Sequence, residues 1–296
     1  MKDAFSSYHP LVNFLYFVMV IACSMFFLHP ACLIISLFFS FAYSIYLNGK
    51  RAIRFNFLVM LPTLIITALV NPAFNHEGVT ILMYLDNGNP LTLESITFGV
   101  ASAAMLITVI CWFSCYNAVM TSDKFIYLFG KLIPAMSLIF SMVLRFVPTF
   151  KAQFQRVSDS QKCVGRDISN GGVMTRIRHG IRIMSIMITW VLENAIETSD
   201  SMRSRGYGLK GRTAYSNYTF DRRDQWALGA LTIVGGYVLI SSLCGAMYFR
   251  YYPSMKGHGL SAFTISALGA YAVMCAIPLI MNVWEDRKWK LLQSKI

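Results

Sequence analysis

The sequence predicts an all-α membrane protein with about six transmembrane helices and two further long helices on the cytoplasmic side. Three observations carry this. The chain of 296 residues is 56% hydrophobic and 14% charged, whereas a soluble domain has about a quarter of its residues charged. The apolar excess falls in runs long enough to cross a bilayer, which takes about 20 residues each. Finally, 16 of the 26 Lys and Arg residues lie in one insert, Thr121 to Gln225, set between apolar segments. The chain thus divides into a four-span region (1–120), the insert (121–225) and a two-span region (226–296).

Met1 to Pro10 lacks a cleavable signal pattern, so the first span is expected to be retained. Leu11 to Leu28 forms that span. His29-Pro30 marks a tight turn, because proline disfavours helix at the residue before it. Ala31 to Leu47 is the second span. Lys50, Arg51 and Arg54 follow it and place this loop, and with it the N-terminus, in the cytoplasm. Phe55 to Val70 returns outward, with Pro62 as a kink. No Lys or Arg occurs from Phe55 to Asp123, so the polar loop Asn71 to Glu94, with Glu77, Asp86 and Glu94, is expected outside. Ser95 to Met120 is the fourth span.

In the insert, Asp123 to Lys131 reads as a short helix. Pro134 to Asp167 and Val173 to Gly206 read as two long helices, with Pro148 bending the first and Asn170-Gly171-Gly172 as a hinge. Neither is a simple span. Arg145, Lys151 and Arg156 interrupt the first, and Arg176, Arg178, Arg182, Glu193, Glu197 and Asp200 the second. Ile181 to Ile196 still has a broad apolar surface, suited to the interface plane or to a groove between apolar helices. Trp226 to Phe249 and Leu260 to Trp284 are the last spans. Arg287, Lys288, Lys290 and Lys295 end the chain on the cytoplasmic side, and Arg250 and Lys256, expected outside, are the misfit.

The two long helices end in related motifs, Ser160-Gln161-Lys162-Cys163-Val164-Gly165-Arg166 and Ser201-Met202-Arg203-Ser204-Arg205-Gly206, whose glycines are 41 residues apart. Arg205 has five donors in a planar fork and a permanent charge. It suits partner docking, and equally a helix end whose carbonyls attract cations and which Gly206 stops. Cys163, Val164, Gly165 and Arg166 read as a fraying end or as an apolar contact. Arg203, Lys210 and Arg212 suit an acidic partner surface or lipid headgroups equally well.

Other constellations point to structure. Glu193, Glu197 and Asp200 share a helix face, and pairing, for example Asp200 with Arg203, explains them better than acid–base chemistry. His76 stands in the loop of Asn71-Pro72 and Glu77-Gly78, which reads as turn chemistry rather than a metal site. Gly206-Tyr207-Gly208 lacks the lysine and preceding strand of a nucleotide cradle. The seven cysteines read as small packing residues in reduced surroundings. No catalytic, cofactor-binding or metal-binding residues are expected. The net charge of +12 follows from positive-inside retention rather than nucleic-acid binding. Met136, Met142, Met174, Met184 and Met187 are core residues by default, and also suit an adaptable surface for apolar partners.

Several of these segments resemble the transmembrane, or T, components of energy-coupling factor transporters, the EcfT/CbiQ family. They are His9-Pro10, His29-Pro30, Asn71-Pro72-Ala73-Phe74-Asn75-His76-Glu77-Gly78 and Leu91-Thr92-Leu93-Glu94-Ser95. Met120-Thr121-Ser122-Asp123-Lys124-Phe125 and Leu144-Arg145-Phe146-Val147-Pro148 belong with them, as do Ser204-Arg205-Gly206-Tyr207-Gly208 and Arg212-Thr213. The resemblance implies crossed coupling helices, each ending in an Ala-Arg-Gly-like motif docked on a cytoplasmic ATPase. Ser204-Arg205-Gly206 keeps the arginine. At Cys163-Val164-Gly165 valine replaces it, and Arg166, two positions on, points about 200° around the helix. That departure fits two non-identical ATP-binding subunits better than a symmetric pair.

The resemblance further implies a substrate-binding membrane S component on a groove that includes Met136, Met142, Met184, Met187 and Trp190. The chain would then be a non-catalytic subunit of an ATP-driven importer of vitamins or other micronutrients, multi-pass in the cytoplasmic membrane, with ATP hydrolysis in its partners. An ordinary ABC importer permease would show a Glu-Ala-Ala…Gly loop between two spans, and none is found. A lipid-modifying membrane enzyme would use Glu193 and Glu197 as acids. A secondary transporter would show paired inverted repeats with broken spans.

Overall fold

Proline placement decides where the first helices begin. The structure, a computed structural model, describes residues 3–55, 58, 60–84, 90–130, 133–167, 169, 171–209, 218–257, 259 and 261–293. Asp86, Asn170, Lys210, Arg212, Thr213 and Lys295 lie outside the described residues. Helix α1 spans Pro10–Phe26 and α2 spans Pro30–Asn48, each with proline in its first turn, where a missing N–H is no loss. His29-Pro30 is therefore a helix start rather than only a turn. His9 and His29 are the N-caps: their Nδ1 atoms accept from the amides of Leu11 at 3.3 Å and Ala31 at 3.2 Å.

The chain has two compact units, Met1–Phe125 with Tyr218–Ile296, and Ile126–Asn217. The first holds α1, α2, α3 (Lys50–Phe55), α4 (Leu61–Phe74), α5 (Leu93–Val119), α9 (Arg222–Leu243) and α10 (Ala262–Gln293). Four of these helices, α2, α5, α9 and α10, are long and apolar enough to cross a membrane. The apolar helices α1 and α4 are shorter, at 17 and 14 residues.

The third expected span differs most from its reading. Pro62 lies in the first turn of α4, which begins directly after helical Met60, and α4 runs on through Asn71-Pro72, which had read as a turn. Pro72 has no N–H for the carbonyl of Ala68. Gly99 of α5 backs onto that carbonyl so closely that a Cβ there would come within 2.6 Å of it. Small residues thus bring α4 and α5 together, as at other membrane helix contacts.

The loop after α4 is built rather than merely polar. It contains an antiparallel hairpin of β1 (Ile81–Tyr84) and β2 (Pro90–Thr92), with Ile81 opposite Thr92. Glu94 accepts from the amide of Thr80 at 3.2 Å and its hydroxyl at 2.8 Å. Thr92 donates to the carbonyl of Glu77 at 2.9 Å, and Ser95 to that of Asn75 at 2.6 Å. Gly78 has φ +150°, and a Cβ there would meet Glu94 Oε2 at 2.7 Å. The segments Asn71 to Gly78 and Leu91 to Ser95 are thus partners in one hydrogen-bonded cluster. The misfit cations Arg250 and Lys256 are opposite one another in a second small hairpin, β3 (Phe249–Arg250) with β4 (Lys256–Gly257).

The core of this unit centres on Trp112 of α5, fully buried with Tyr16, Phe17, Tyr43 and Tyr271. Burying indole and hydroxyl groups requires partners. Trp112 Nε1 donates to Ser36 Oγ at 3.0 Å, and Ser24 Oγ lies 2.8 Å from Ser36 Oγ and 3.2 Å from Tyr271 OH. Four helices, α1, α2, α5 and α10, share this network.

In the second unit lie α7 (Pro134–Cys163) and α8 (Val173–Ser204), close to their expected bounds. Helix α6 (Ser122–Gly130) runs across the unit boundary. Pro148 is inside α7. Gly171, at φ +96°, supplies the left-handed turn between the long helices.

Candidate functional site at two helix ends

Helices α7 and α8 stop by the same device. At the end of α7, the amide of Gly165 donates to Lys162 O at 2.9 Å and that of Arg166 to Gln161 O at 2.9 Å. At the end of α8, the amide of Gly206 donates to Arg203 O at 2.9 Å and that of Tyr207 to Met202 O at 3.0 Å. This is the Schellman arrangement, which needs a left-handed residue just past the cap. Gly165 and Gly206 both supply it at φ +77°. The cap residues match as well: Val164 has φ −91° and ψ 11°, and Arg205 has φ −81° and ψ 6°.

The correspondence extends further back than the motifs read from the sequence. Aligned on their glycines, the two ends read Ser158-Asp159-Ser160-Gln161-Lys162-Cys163-Val164-Gly165 and Ser199-Asp200-Ser201-Met202-Arg203-Ser204-Arg205-Gly206. The Ser-Asp-Ser frame is visible in the sequence once the register is set by the glycines. Asp159 and Lys162 form an exposed ion pair at 3.7 Å. Among the described residues the expected counterpart, Asp200 with Arg203, is not paired. Glu193, Glu197 and Asp200 are exposed.

Helix capping does not use the guanidinium of Arg205. The same backbone closure forms with Val164 at the cap of α7 and with Cys244 at the cap of α9, where Gly245 has φ +85°. Among the described residues Arg205 makes no side-chain hydrogen bond or ion pair, and it is exposed. It borders an open cleft of about 660 Å³, together with Leu138, Met142 and Arg145 of α7 and Glu197 and Met202 of α8. Sequence reasoning did not join Arg145 and Glu197 to this end; their place comes from the packing of two helices. At 1.5 Å per residue, α7 carries Val164 about 28 Å beyond Arg145, the α7 residue of this cleft nearest to it in sequence. The two ends therefore stand well apart. Cys163, Val164 and Gly165 are exposed and Arg166 is half-buried; Val164, an apolar side chain, is 65% exposed.

The methionines divide. Met136 and Met184 are 46% and 49% exposed, whereas Met187 is buried at 1%. Met142 and Trp190 are half-buried, and Met142 faces the cleft of Arg205. A separate apolar groove of about 540 Å³ is formed by Val143, Phe146, Val147, Phe150, Lys151 and Phe154 of α7 with Val191 of α8. The open apolar surface thus rests on phenylalanine and valine of α7 more than on the methionines.

Apolar helices long enough to cross a membrane, together with two long helices that have matching ends, define a helical membrane protein. The family described as cobalt transport protein, CbiQ, matches residues 5–215, and the chain belongs to it. It is 33% identical over 105 residues to the energy-coupling factor transporter transmembrane protein EcfT of Lactobacillus helveticus (strain DPC 4571), covering 35% of this chain and 38% of that protein. The protein of the same description from Streptococcus thermophilus (strain ATCC BAA-250 / LMG 18311) is 31% identical over 99 residues, 33% of this chain and 38% of that one. The "Uncharacterized protein MG181 homolog" of Mycoplasma pneumoniae (strain ATCC 29342 / M129 / Subtype 1) is 26% identical over 181 residues, 57% of this chain and 42% of that one. The matched part of this chain spans about two-fifths of the length of these relatives.

Proposed function

We propose that this chain is the transmembrane component of an energy-coupling factor transporter, a non-catalytic subunit that links two cytoplasmic ATP-binding subunits to a substrate-binding membrane subunit. The observation that carries this is Arg205: an exposed cation without a side-chain partner among the described residues, held at a helix stop that does not need it. A rigid stop fixes the backbone from which the guanidinium extends, and each charge-assisted hydrogen bond it makes on docking is worth about 1.5–3 kcal/mol. Family membership and the EcfT relatives support the same reading. The apolar groove of Phe146, Phe150 and Phe154, with Met136 and Met184, suits the substrate-binding subunit. Vitamins or other micronutrients are the proposed cargo, and both termini are assigned to the cytoplasm.

The mechanism is a population shift. Nucleotide-driven movement of the docked subunits shifts the helix ends, and α7 and α8 then offer a differently shaped groove. The substrate-binding subunit reorients only if its two orientations bind those shapes with different free energy. Affinity purification from native membranes tests the reading: two ATP-binding proteins and a small apolar membrane protein should elute with the chain. Arg205→Glu should release at least one ATP-binding subunit and lower uptake while the chain stays inserted. Unchanged retention and uptake in this variant would overturn the role of Arg205.

A further inference from the structure

The two helix ends share one backbone closure and differ most in the chemistry of the side chain at the cap. Their backbones match in both closing hydrogen bonds and in the cap dihedrals, and the Ser-Asp-Ser frame repeats in register. At the cap itself an isopropyl group at Val164 replaces the guanidinium of Arg205. The neighbouring ion pairing differs as well. Lys162 is paired with Asp159, whereas Arg203 and Asp200 form no such pair among the described residues. Arg166 does not restore the missing charge at the cap, because it is two positions further on, past the left-handed glycine, where its amide closes the helix.

We infer that the two ends are a duplicated docking module that sorts two homologous but non-identical ATP-binding subunits by the cap residue. Val164 enters an apolar socket on one subunit, and Arg205 enters a socket lined by carboxylate or carbonyl oxygens on the other. This rests on the reading of the chain as a transporter component. The common backbone calls for sockets of one shape, hence related partners. The cap residues call for sockets of opposite chemistry: an apolar socket would strip water from a guanidinium without replacing it, and an oxygen-lined socket would be left unpaired against valine. Each end therefore rejects the other's partner as well as accepting its own. Two identical subunits would place one of the two ends in a mismatched socket.

The test uses the ATP-binding subunits that elute with the wild-type chain, identified by mass spectrometry, co-expressed with it, and counted in the intact complex by native mass spectrometry. The wild type should carry one copy of each of two related subunits. Val164→Arg makes both ends cationic and should lower the ratio of the Val164-end subunit to its partner at least tenfold, with the Arg205-end subunit filling both positions. Arg205→Val should deplete the other subunit. In each case a monodisperse elution profile checks that the chain is folded. A one-to-one ratio retained in Val164→Arg would overturn sorting by the cap residue, as would a wild-type complex with two identical subunits or with the Val164 end empty. Recovery of no ATP-binding subunit with the wild type would instead overturn the transporter reading, and the sorting with it.

Discussion

Lys124 Nζ donates to the carbonyl of Ser6 at 2.6 Å and to that of Val119, the last residue of α5, at 3.0 Å. One buried ammonium thus closes the end of a spanning helix and holds the N-terminal segment against it. A cation is well placed at such a carboxyl end. Burial also pulls the Lys124 pKa below its usual range. Lys124→Met would leave two carbonyls without their donor, at about 1–3 kcal/mol each. A thermal midpoint lowered by several degrees in detergent is expected, with the N-terminal residues cut sooner by protease.

Asp224 ties α9 to α1. Its Oδ1 accepts from the amide of His9 and its Oδ2 from that of Asp221, both at 3.1 Å, and the side chain is buried. Asp224→Ala removes both acceptors and should destabilise the chain by about 3–6 kcal/mol, counting one charge-assisted bond at each amide. Asp224→Asn keeps one acceptor oxygen and should lose less. Thermal denaturation of the two variants in the same detergent gives the comparison.

Gly165 and Gly206 both stand at φ +77°, a conformation that costs a residue with a Cβ about 1–2 kcal/mol. Alanine at either position should fray the last helical turn. At Gly206 a Cβ would also press on Leu209 Cδ1 at 2.9 Å, whereas at Gly165 it meets open space. Gly206→Ala should therefore accelerate amide exchange over Met202 to Tyr207 more than Gly165→Ala does over Gln161 to Arg166. Hydrogen-exchange mass spectrometry checks this directly.

The His29 cap is pH-dependent with a definite sign. Its Nδ1 must be unprotonated to accept from the Ala31 amide, and burial lowers its pKa below 6.5. The folded state therefore favours neutral imidazole. The stabilisation is complete above pH 6.5 and fades as pH falls through the depressed folded value. A cap of this kind is worth about 1 kcal/mol. His29→Asn keeps a neutral acceptor, so its thermal midpoint should fall less between pH 7.5 and pH 5 than that of the wild type.

The elements with strong local signals were legible in the sequence, and those made by distant contacts were not. Helices α7 and α8 were readable because their apolar periodicity ends at Gly165 and Gly206, and the structure stops them within a few residues of the expected bounds. Pro72 was misread because proline carries the same local signal whether it sits in a turn or inside a helix; what distinguishes Pro72 is the approach of Gly99 from another helix. The hairpin of β1 and β2 was hidden in a loop read for its polarity, since its order depends on Glu94 and Thr92 reaching back to Thr80 and Glu77. At the helix ends the motifs were visible, but Arg145 and Glu197 join Arg205 only through tertiary packing.

A helix stop made from main-chain hydrogen bonds and a single glycine leaves the preceding side chain without structural duty. Val164, Arg205 and Cys244 all occupy that place at no visible cost to the turn. Recognition at such a position can be rewritten by one substitution while the rod that bears it keeps its length and ending. A lineage can thus exchange one associated subunit for another without first solving a new folding problem.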